Sequence, residues 1–288
     1  SPNRRNPMKN VILLRNFLKI GFRNIVRKDF SVNAINIFGF AIALGICITS
    51  LIFYDVQVNM DQFHKKGNRI YQITQVTEDL KKLGKTPTTL GSNIKQDFSA
   101  IEDFARIERR IVYVSYKKDV FEERVAFVDP SFMQLFDFPM ISGNKSSLSD
   151  KNSIVLGYEM AKKYFAGEDP IGKEMQVKFS DDYTGSFLVK GVMEKYSDYA
   201  SFYYDFYIPF ENIFEAERAP IKEQESTVDA TFLLVKEAAN LNDIQGVFLK
   251  YLDEINENFD HAEIIDFKLY TLYDLSENCH DIAGSVSF

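Results

Sequence analysis

Cysteine and histidine are scarce in this chain of 288 residues, with two of the first and three of the second. Two cysteines give no disulfide framework, and Cys47 lies in the most apolar stretch, where a bridge to Cys279 is not expected. Cys279, His280 and Asp281 are adjacent rather than at metal-ligand spacing, so they read as an ordinary loop. Asp253, Glu254, Glu257, Asp260 and His261 surround a helix end and read as a solvated acidic face. His64 has a structural role beside Asp61 as its simplest reading. A phosphate-binding loop is missing too. In LGKT (83–86) the leading glycine position holds Asp79, and Pro87 opposes an immediate helix start. With no Ser/His/Asp or Cys/His constellation, the chain reads as a non-enzyme that needs no cofactor or metal. Positive charge is also short over most of the length. Eight of the 34 Lys and Arg, against one of the 41 Asp and Glu, fall in residues 1–29, which leaves 26 basic and 40 acidic residues beyond. Such an acidic body disfavours nucleic acid as a partner.

What the basic head precedes explains it. From Phe30 to Tyr54 run 25 residues without a charge, FSVNAINIFGFAIALGICITSLIFY. As a helix they span roughly 37 Å, enough for a bilayer core of about 30 Å. A cleavable signal peptide would have a shorter apolar region and a small-residue cleavage pattern, and no such pattern follows. Residues 30–57 are therefore predicted to form a transmembrane helix. Upstream, residues 8–28 predict an amphipathic elbow helix. Arg15, Lys19, Arg23 and Arg27 recur every four residues and form one slowly drifting stripe, and Leu14, Leu18, Phe22 and Ile25 form an apolar row beside it. The row suits the interface of a lipid bilayer and the stripe its anionic headgroups. The same charges place the N-terminus in the cytoplasm and residues after about 57 outside. Within the helix Gly39 and Ala43, and Ala41 and Gly45, make two pairs of small residues that permit close approach of another helix.

The rest alternates between short strands and helices. RIYQITQV (69–76) predicts a strand, and a helix capped by Ser92 is predicted with Ile94, Phe98, Ile101 and Ala105 on one face. RIVYVSYK (110–117) predicts a second strand. The pattern returns with the strand TFLLVK (231–236), a helix from Asn240 or Asn242 with Ile244, Val247, Phe248, Tyr251, Leu252, Ile255 and Phe259 inward, and the strand IIDFKLYTL (264–272). Two strand–helix–strand units so far apart suggest one α/β sandwich, 59–117 with 227–276, interrupted by an insertion, 118–226. The ends of the insertion, Lys117 and Thr227, are then expected side by side. The insertion carries the short strands VAFVD, SIVLG, MQVKF, FLVKGVM and YYDFYIPF. A helix after the cap Asp129-Pro130 and a second, YEMAKKYF, ended by Gly167, interrupt them.

These stretches carry a resemblance. LKIGFRNIVRKDFSVNAINIFGFAIALG, DQFHKKGNRIYQI (61–73), LFDFPMISGN (135–144), NSIVLGYEMAKKYFAGEDPIGKEMQV (152–177) and FLVKGVMEKYSDYASFYYDFYIPF (187–210) follow one another as in ABC transporter permeases of the MacB/FtsX type. Gly157 stands where that family often has Ser, and Gly143-Asn144 where Gly-Asp is common. The resemblance implies an α+β extracytoplasmic domain behind one N-terminal membrane helix, with a porter-like part and an inserted sabre-like part. It implies a bacterial inner-membrane protein with a cytoplasmic ATPase subunit, a second permease copy as dimer partner, and a periplasmic substrate or partner protein. It also implies that the chain, which ends at Phe288 before a second apolar span, is part of a longer permease.

The function expected is transmission of ATP-driven conformational change to export or extract a peptide, toxin or lipoprotein, or to control a periplasmic partner. A single-pass sensor or anchored binding protein is the alternative from another class. Phe132, Phe136, Phe138 and Tyr199 are the candidate partner contacts of the insertion.

Overall fold

The computed structural model describes residues 15–21, 23, 30–180, 183–197, 199–216, 226–237, 239, 241–258, 263–284 and 286. Residues 1–58 and 59–288 form two compact units. In the first, residues 15–21 and 23 are helical, and α1 (Phe30–Asn59) runs two residues past the expected end of the span. Ser31–Asn59 is the one helix among the described residues that is long and apolar enough to cross a membrane, with a mean hydropathy of 2.3. Its apolar side chains stand exposed on every face, among them Ile35, Phe38, Ile42, Ile46 and Phe53. An all-round apolar surface left uncovered by the described residues suits lipid rather than a protein core. The Thr49 hydroxyl is satisfied within the helix, donating to the Gly45 carbonyl at 2.9 Å.

The second unit is built on nine longer strands: β1 (Ile70–Thr77), β2 (Ile101–Tyr116), β3 (Asp119–Val128), β4 (Ser153–Leu156), β5 (Glu174–Lys178), β6 (Thr184–Met193), β7 (Phe206–Pro209), β8 (Ala230–Val235) and β9 (Ile264–Thr271). Its α-helices include α2 (Leu90–Asp97), α3 (Phe132–Leu135), α4 (Tyr158–Phe165), α5 (Leu241–Phe248), α6 (Leu252–Asn258) and α7 (Leu272–Asn278).

One half has the neighbours β9-β1-β8-β2, all antiparallel. Each strand–helix–strand unit is thus split by a strand of the other, as in ferredoxin-like folds. The alternation of side chains explains the unbroken apolar run in β8: Leu233 and Val235 meet α2, α5 and α6, whereas Phe232 and Leu234 face a different core on the opposite side.

The other half closes on itself. β2 pairs with β3, β3 with β7, β7 with β4, β4 with β6, β6 with β5, and β5 returns to β2. This six-stranded barrel is filled by two alternate residues from each strand: Val112 and Val114, Val125 and Phe127, Phe206 and Ile208, Ile154 and Leu156, Phe187 and Val189, Met175 and Val177. Tyr164 and Phe165 of α4 join the same core. On the outside of this barrel Ala126, Val128, Val155 and Tyr207 share one cluster with Phe232 and Leu234 of the first half, closed over by Phe132 and Phe136. One aromatic core therefore serves both halves.

The structure corrects several expectations. The helix after Ser92 begins at Leu90 and ends at Asp97, and Ile101 and Ala105 belong to β2. Ser92 does not cap it: its hydroxyl donates back to the Thr89 carbonyl. Asp129 is no helix cap either, since its carboxylate accepts from the backbone N, Nε and Nη2 of Arg106. The boundary at Lys117 falls on the far turn of the β2–β3 hairpin, where Lys117 has φ 55°. β8 ends its pairing with β2 at Ala230 opposite Ile107, so up to about 30 Å of strand separates Lys117 from that junction. Lys117 and Thr227 are not the ends that meet. The chain crosses between the halves at Arg109, whose Nε donates to Asp229 at 2.8 Å.

One glycine of the insertion is fixed by geometry. Gly143 has φ +90°, and a Cβ there would stand 2.5 Å from the Lys190 carbonyl oxygen. Gly143→Ala is expected to cost at least about 1–2 kcal/mol in chemical unfolding, from strain and displaced backbone together. Unchanged stability would show that the turn relaxes freely.

Candidate functional site at Asp61–Gly67

The chain that leaves α1 turns at once into the second unit. Asp61, in the left-handed region at φ 57°, is fully buried. Its N–H donates to the Tyr199 carbonyl at 2.8 Å, and its Oδ1 accepts from the Ser201 N–H at 2.9 Å. Aspartate tolerates this backbone better than bulkier residues, which suits it to a tight entry. Its second oxygen, Oδ2, is buried without a hydrogen-bond partner. Burial pushes the carboxyl up to about 6, against the opposing pull of the Ser201 hydrogen bonds.

Three residues on, the His64 N–H donates to the Asp61 carbonyl, and the imidazole is fully buried. Its Nδ1 accepts the Asp137 N–H at 2.8 Å, while Asp137 Oδ2 accepts the Lys65 N–H at 2.9 Å. The two stretches clasp each other in both directions. An Nδ1 that accepts must be unprotonated. Burial pushes His64 down to about 4, with the Asp137 charge opposing. Burial pushes Asp137 itself up, yet the Lys145 ammonium and the Lys65 amide hold it below the usual carboxylate range. Rings pack around the imidazole, Phe63 at 4.0 Å and Phe138 and Phe136 edge-on at 4.9 and 5.5 Å. A third attachment comes from α7, where the Tyr273 hydroxyl donates to the His64 carbonyl at 2.8 Å. Gly67 makes room for that ring, since a Cβ would stand 2.2 Å from its Cε1. Beside the clasp a cavity of about 400 Å³ is lined by Phe63, Phe138, Met193 and Tyr196 among others.

Three separated stretches of sequence, 61–67, 135–139 and 199–201, thus converge with α7 on one point. The arrangement holds chain, and two of its polar atoms, His64 Nε2 and Asp61 Oδ2, are buried without a hydrogen-bond partner. Nδ1 of His64 is occupied by an amide proton and Oδ1 of Asp61 by another.

The residues proposed from sequence are distributed as follows. Arg15, Lys19 and Arg23 are exposed on helical residues, and Arg27 lies outside the described residues, as do Phe259, Asp260 and His261. Gly39, Ala41, Ala43 and Gly45 are exposed on α1, with nothing within 4 Å of a Cβ built on Gly39 or Gly45. Phe132 and Phe136 are 0% and 1% exposed, in the core shared by both halves, so the partner role expected of them is withdrawn: apolar rings in the insertion are needed as its own filling. Phe138 and Tyr199 are half-buried, and both belong to the clasp region. His64 meets Asp61 only through the backbone; its side chain answers to Asp137. The stretches quoted for the resemblance contain Asp61, His64, Asp137 and Ser201, whereas Tyr273 lies outside all of them.

The family model described as the MacB-like periplasmic core domain matches residues 33–248. Among solved structures, a domain of a proposed permease protein from Porphyromonas gingivalis is 14% identical, with a TM-score of 0.55 over 72% of this chain and 91% of its own. The extracellular domain of the noncanonic ABC-type transporter YknZ from Gram-positive bacteria is 12% identical, with a TM-score of 0.51 over 70% and 99%. The periplasmic region of MacB from Actinobacillus actinomycetemcomitans is 13% identical, with a TM-score of 0.50 over 74% and 94%. No curated protein matches the chain.

Proposed function

Since the chain belongs to the MacB-like periplasmic core domain family of ABC transporter permeases, we propose that its outer domain relays ATP-driven motion of the membrane helix to a periplasmic substrate or partner. The observation that carries this reading is the clasp. Within five residues of the end of α1, the chain is tied by buried groups to residues 199–201, to the stretch after α3 and to α7. A pull on the helix then reaches both halves through the core they share. Asp61 and His64 sit where a slack linker would be expected if the domain were only tethered. The energy comes from a cytoplasmic ATPase subunit, and the protein works as a dimer in the inner membrane. The N-terminus is cytoplasmic, held by Arg15, Lys19, Arg23 and Arg27 at the inner leaflet. The pairs Gly39/Ala43 and Ala41/Gly45 are the proposed contact of α1 with another membrane helix. The outer domain performs no chemistry.

The test uses the parent permease, spin-labelled at exposed Val120 near the β2–β3 tip and purified with and without its ATPase. The distance between labels on two copies is expected to change with nucleotide only when the ATPase is present. A nucleotide response without the ATPase, or ATP hydrolysis by the permease alone, would overturn the proposal.

A further inference from the structure

Away from the clasp, a cavity of about 540 Å³ opens where the chain crosses between the halves. Arg109 and Ile111 of β2, Arg124 of β3 and the loop Tyr203–Asp205 line it. Ile111 lies opposite Arg124 in the ladder, so strand alternation puts Arg109, Ile111 and Arg124 on one face. The volume and the mix of walls are those of small-molecule sites. Three observations define what would fit.

The first is charge. Arg109 gives its Nε to Asp229, which also has Lys85 at 3.9 Å, while Arg124 and Asp205 face each other electrostatically. Arg110, which also lines the cavity, reaches Glu108 at 3.1 Å. Arg109, Arg110, Arg124 and Lys85 thus stand against Asp229, Asp205 and Glu108, four cations against three carboxylates, which leaves one positive charge in excess in a chain whose net charge is −7. The second is an unmet hydrogen bond. Tyr204 is 6% exposed, and its hydroxyl is buried with no partner. Tyr204 lines the cavity, and its hydroxyl interacts electrostatically with Arg109. Leaving a buried hydroxyl unsatisfied is costly, and a bound acceptor would satisfy it. The third is apolar surface. Ile111 is 64% and Tyr203 43% exposed beside the guanidinium groups.

We propose that this cavity binds a small organic monocarboxylate. The carboxylate lies between Arg109 and Arg124 and accepts the Tyr204 hydroxyl proton in a hydrogen bond, while an apolar body covers Ile111 and the Tyr203 ring. A planar guanidinium suits a planar carboxylate, and one surplus charge suits one anion. The site lies at the crossing between the halves, so occupancy would bridge them. It stands independently of the relay function.

The probe is 4-phenylbutyrate, with its neutral amide and inorganic phosphate as controls, titrated by calorimetry into the full chain in detergent. The acid is expected to bind at least about tenfold more tightly than the amide or phosphate. Arg124→Gln should weaken it by about tenfold, and Arg124→Lys should restore only part of that loss. Tyr204→Phe should weaken it several-fold while leaving the melting temperature of the empty chain unchanged or higher, because it deletes a hydroxyl that has no partner. No binding of the acid, equal binding of the amide or phosphate, or unaltered affinity in both Arg124→Gln and Tyr204→Phe would overturn the proposal.

Discussion

A Phe136→Ala chain is expected to lose roughly 3–5 kcal/mol of stability in its outer domain, the usual cost of emptying a fully buried aromatic site. The ring is 1% exposed and lies 4.8 Å from Phe132, 5.1 Å from Phe202, 5.3 Å from Phe232 and 5.5 Å from His64. Those neighbours come from α3, from the return loop of the insertion, from β8 of the other half and from the clasp. The cavity is therefore walled by parts that cannot collapse together without moving the halves, which places the cost towards the upper end. Half-buried Phe138, on the rim of the same cluster, should cost less than Phe136 when truncated. Denaturant unfolding followed by circular dichroism measures both, and hydrogen exchange shows where protection is lost. If the shared core couples the halves, protection in β8 and in β7 falls together. A loss below about 1 kcal/mol, or one confined to a single half, would show that the core is not shared in the energetic sense.

How much of this was legible follows from the physics of each signal. An uncharged run from Phe30 to Tyr54 has one good explanation, and it was readable at once. MQVKF and FLVKGVM alternate because one face of each strand fills the barrel, so those strands were legible too, though closure into a ring was not. Ring closure depends on β5 returning to β2, a pairing of Gln176 with Ser115 that leaves no mark in either segment. The first half of β2 was misread for a specific reason. Ile94, Phe98, Ile101 and Ala105 have helical spacing, but a break at Phe98 hands Ala105 to a strand face it shares with Ile107. The outer half of β3 leaves no such signal, because DVFEER is charged and five of its six residues are exposed. In the candidate site, Asp61 and His64 stand in a quotable motif, but their partners lie 73 to 209 positions away in sequence, as with Asp137 N to His64 and the Tyr273 hydroxyl to the His64 carbonyl. Sequence shows that such residues are unusual. Only the fold shows what they hold.

The clasp should also betray itself through pH, with opposite signs for its two buried groups. Burial raises Asp61 to about 6 from its ordinary 3.8, so the folded chain favours its protonated form. Its contribution is most favourable below pH 4 and is lost as pH rises towards 6. Burial lowers His64 to about 4 from 6.5, so the folded chain favours the neutral ring whose Nδ1 takes the Asp137 N–H. That contribution is present above pH 6.5 and is lost as pH falls towards 4. The rise of Asp61 from 3.8 to about 6 and the fall of His64 from 6.5 to about 4 each correspond to about 3 kcal/mol across the window. Because the windows overlap, the two slopes largely cancel in the parent chain. Single replacements should separate them. In Asp61→Asn the aspartate slope is lost, so stability relative to the parent should worsen as pH is lowered from 6 to 4. In His64→Gln the histidine slope is lost, so stability relative to the parent should worsen as pH is raised from 4 to 6.5. Taking each difference against the parent removes the contributions of other titrating groups, such as Glu108, which burial raises to about 7. Unfolding midpoints measured at half-unit steps of pH decide the matter. Two variants whose stability differences run parallel with pH, or stay flat, would show that Asp61 and His64 do not hold the entry segment in these protonation states.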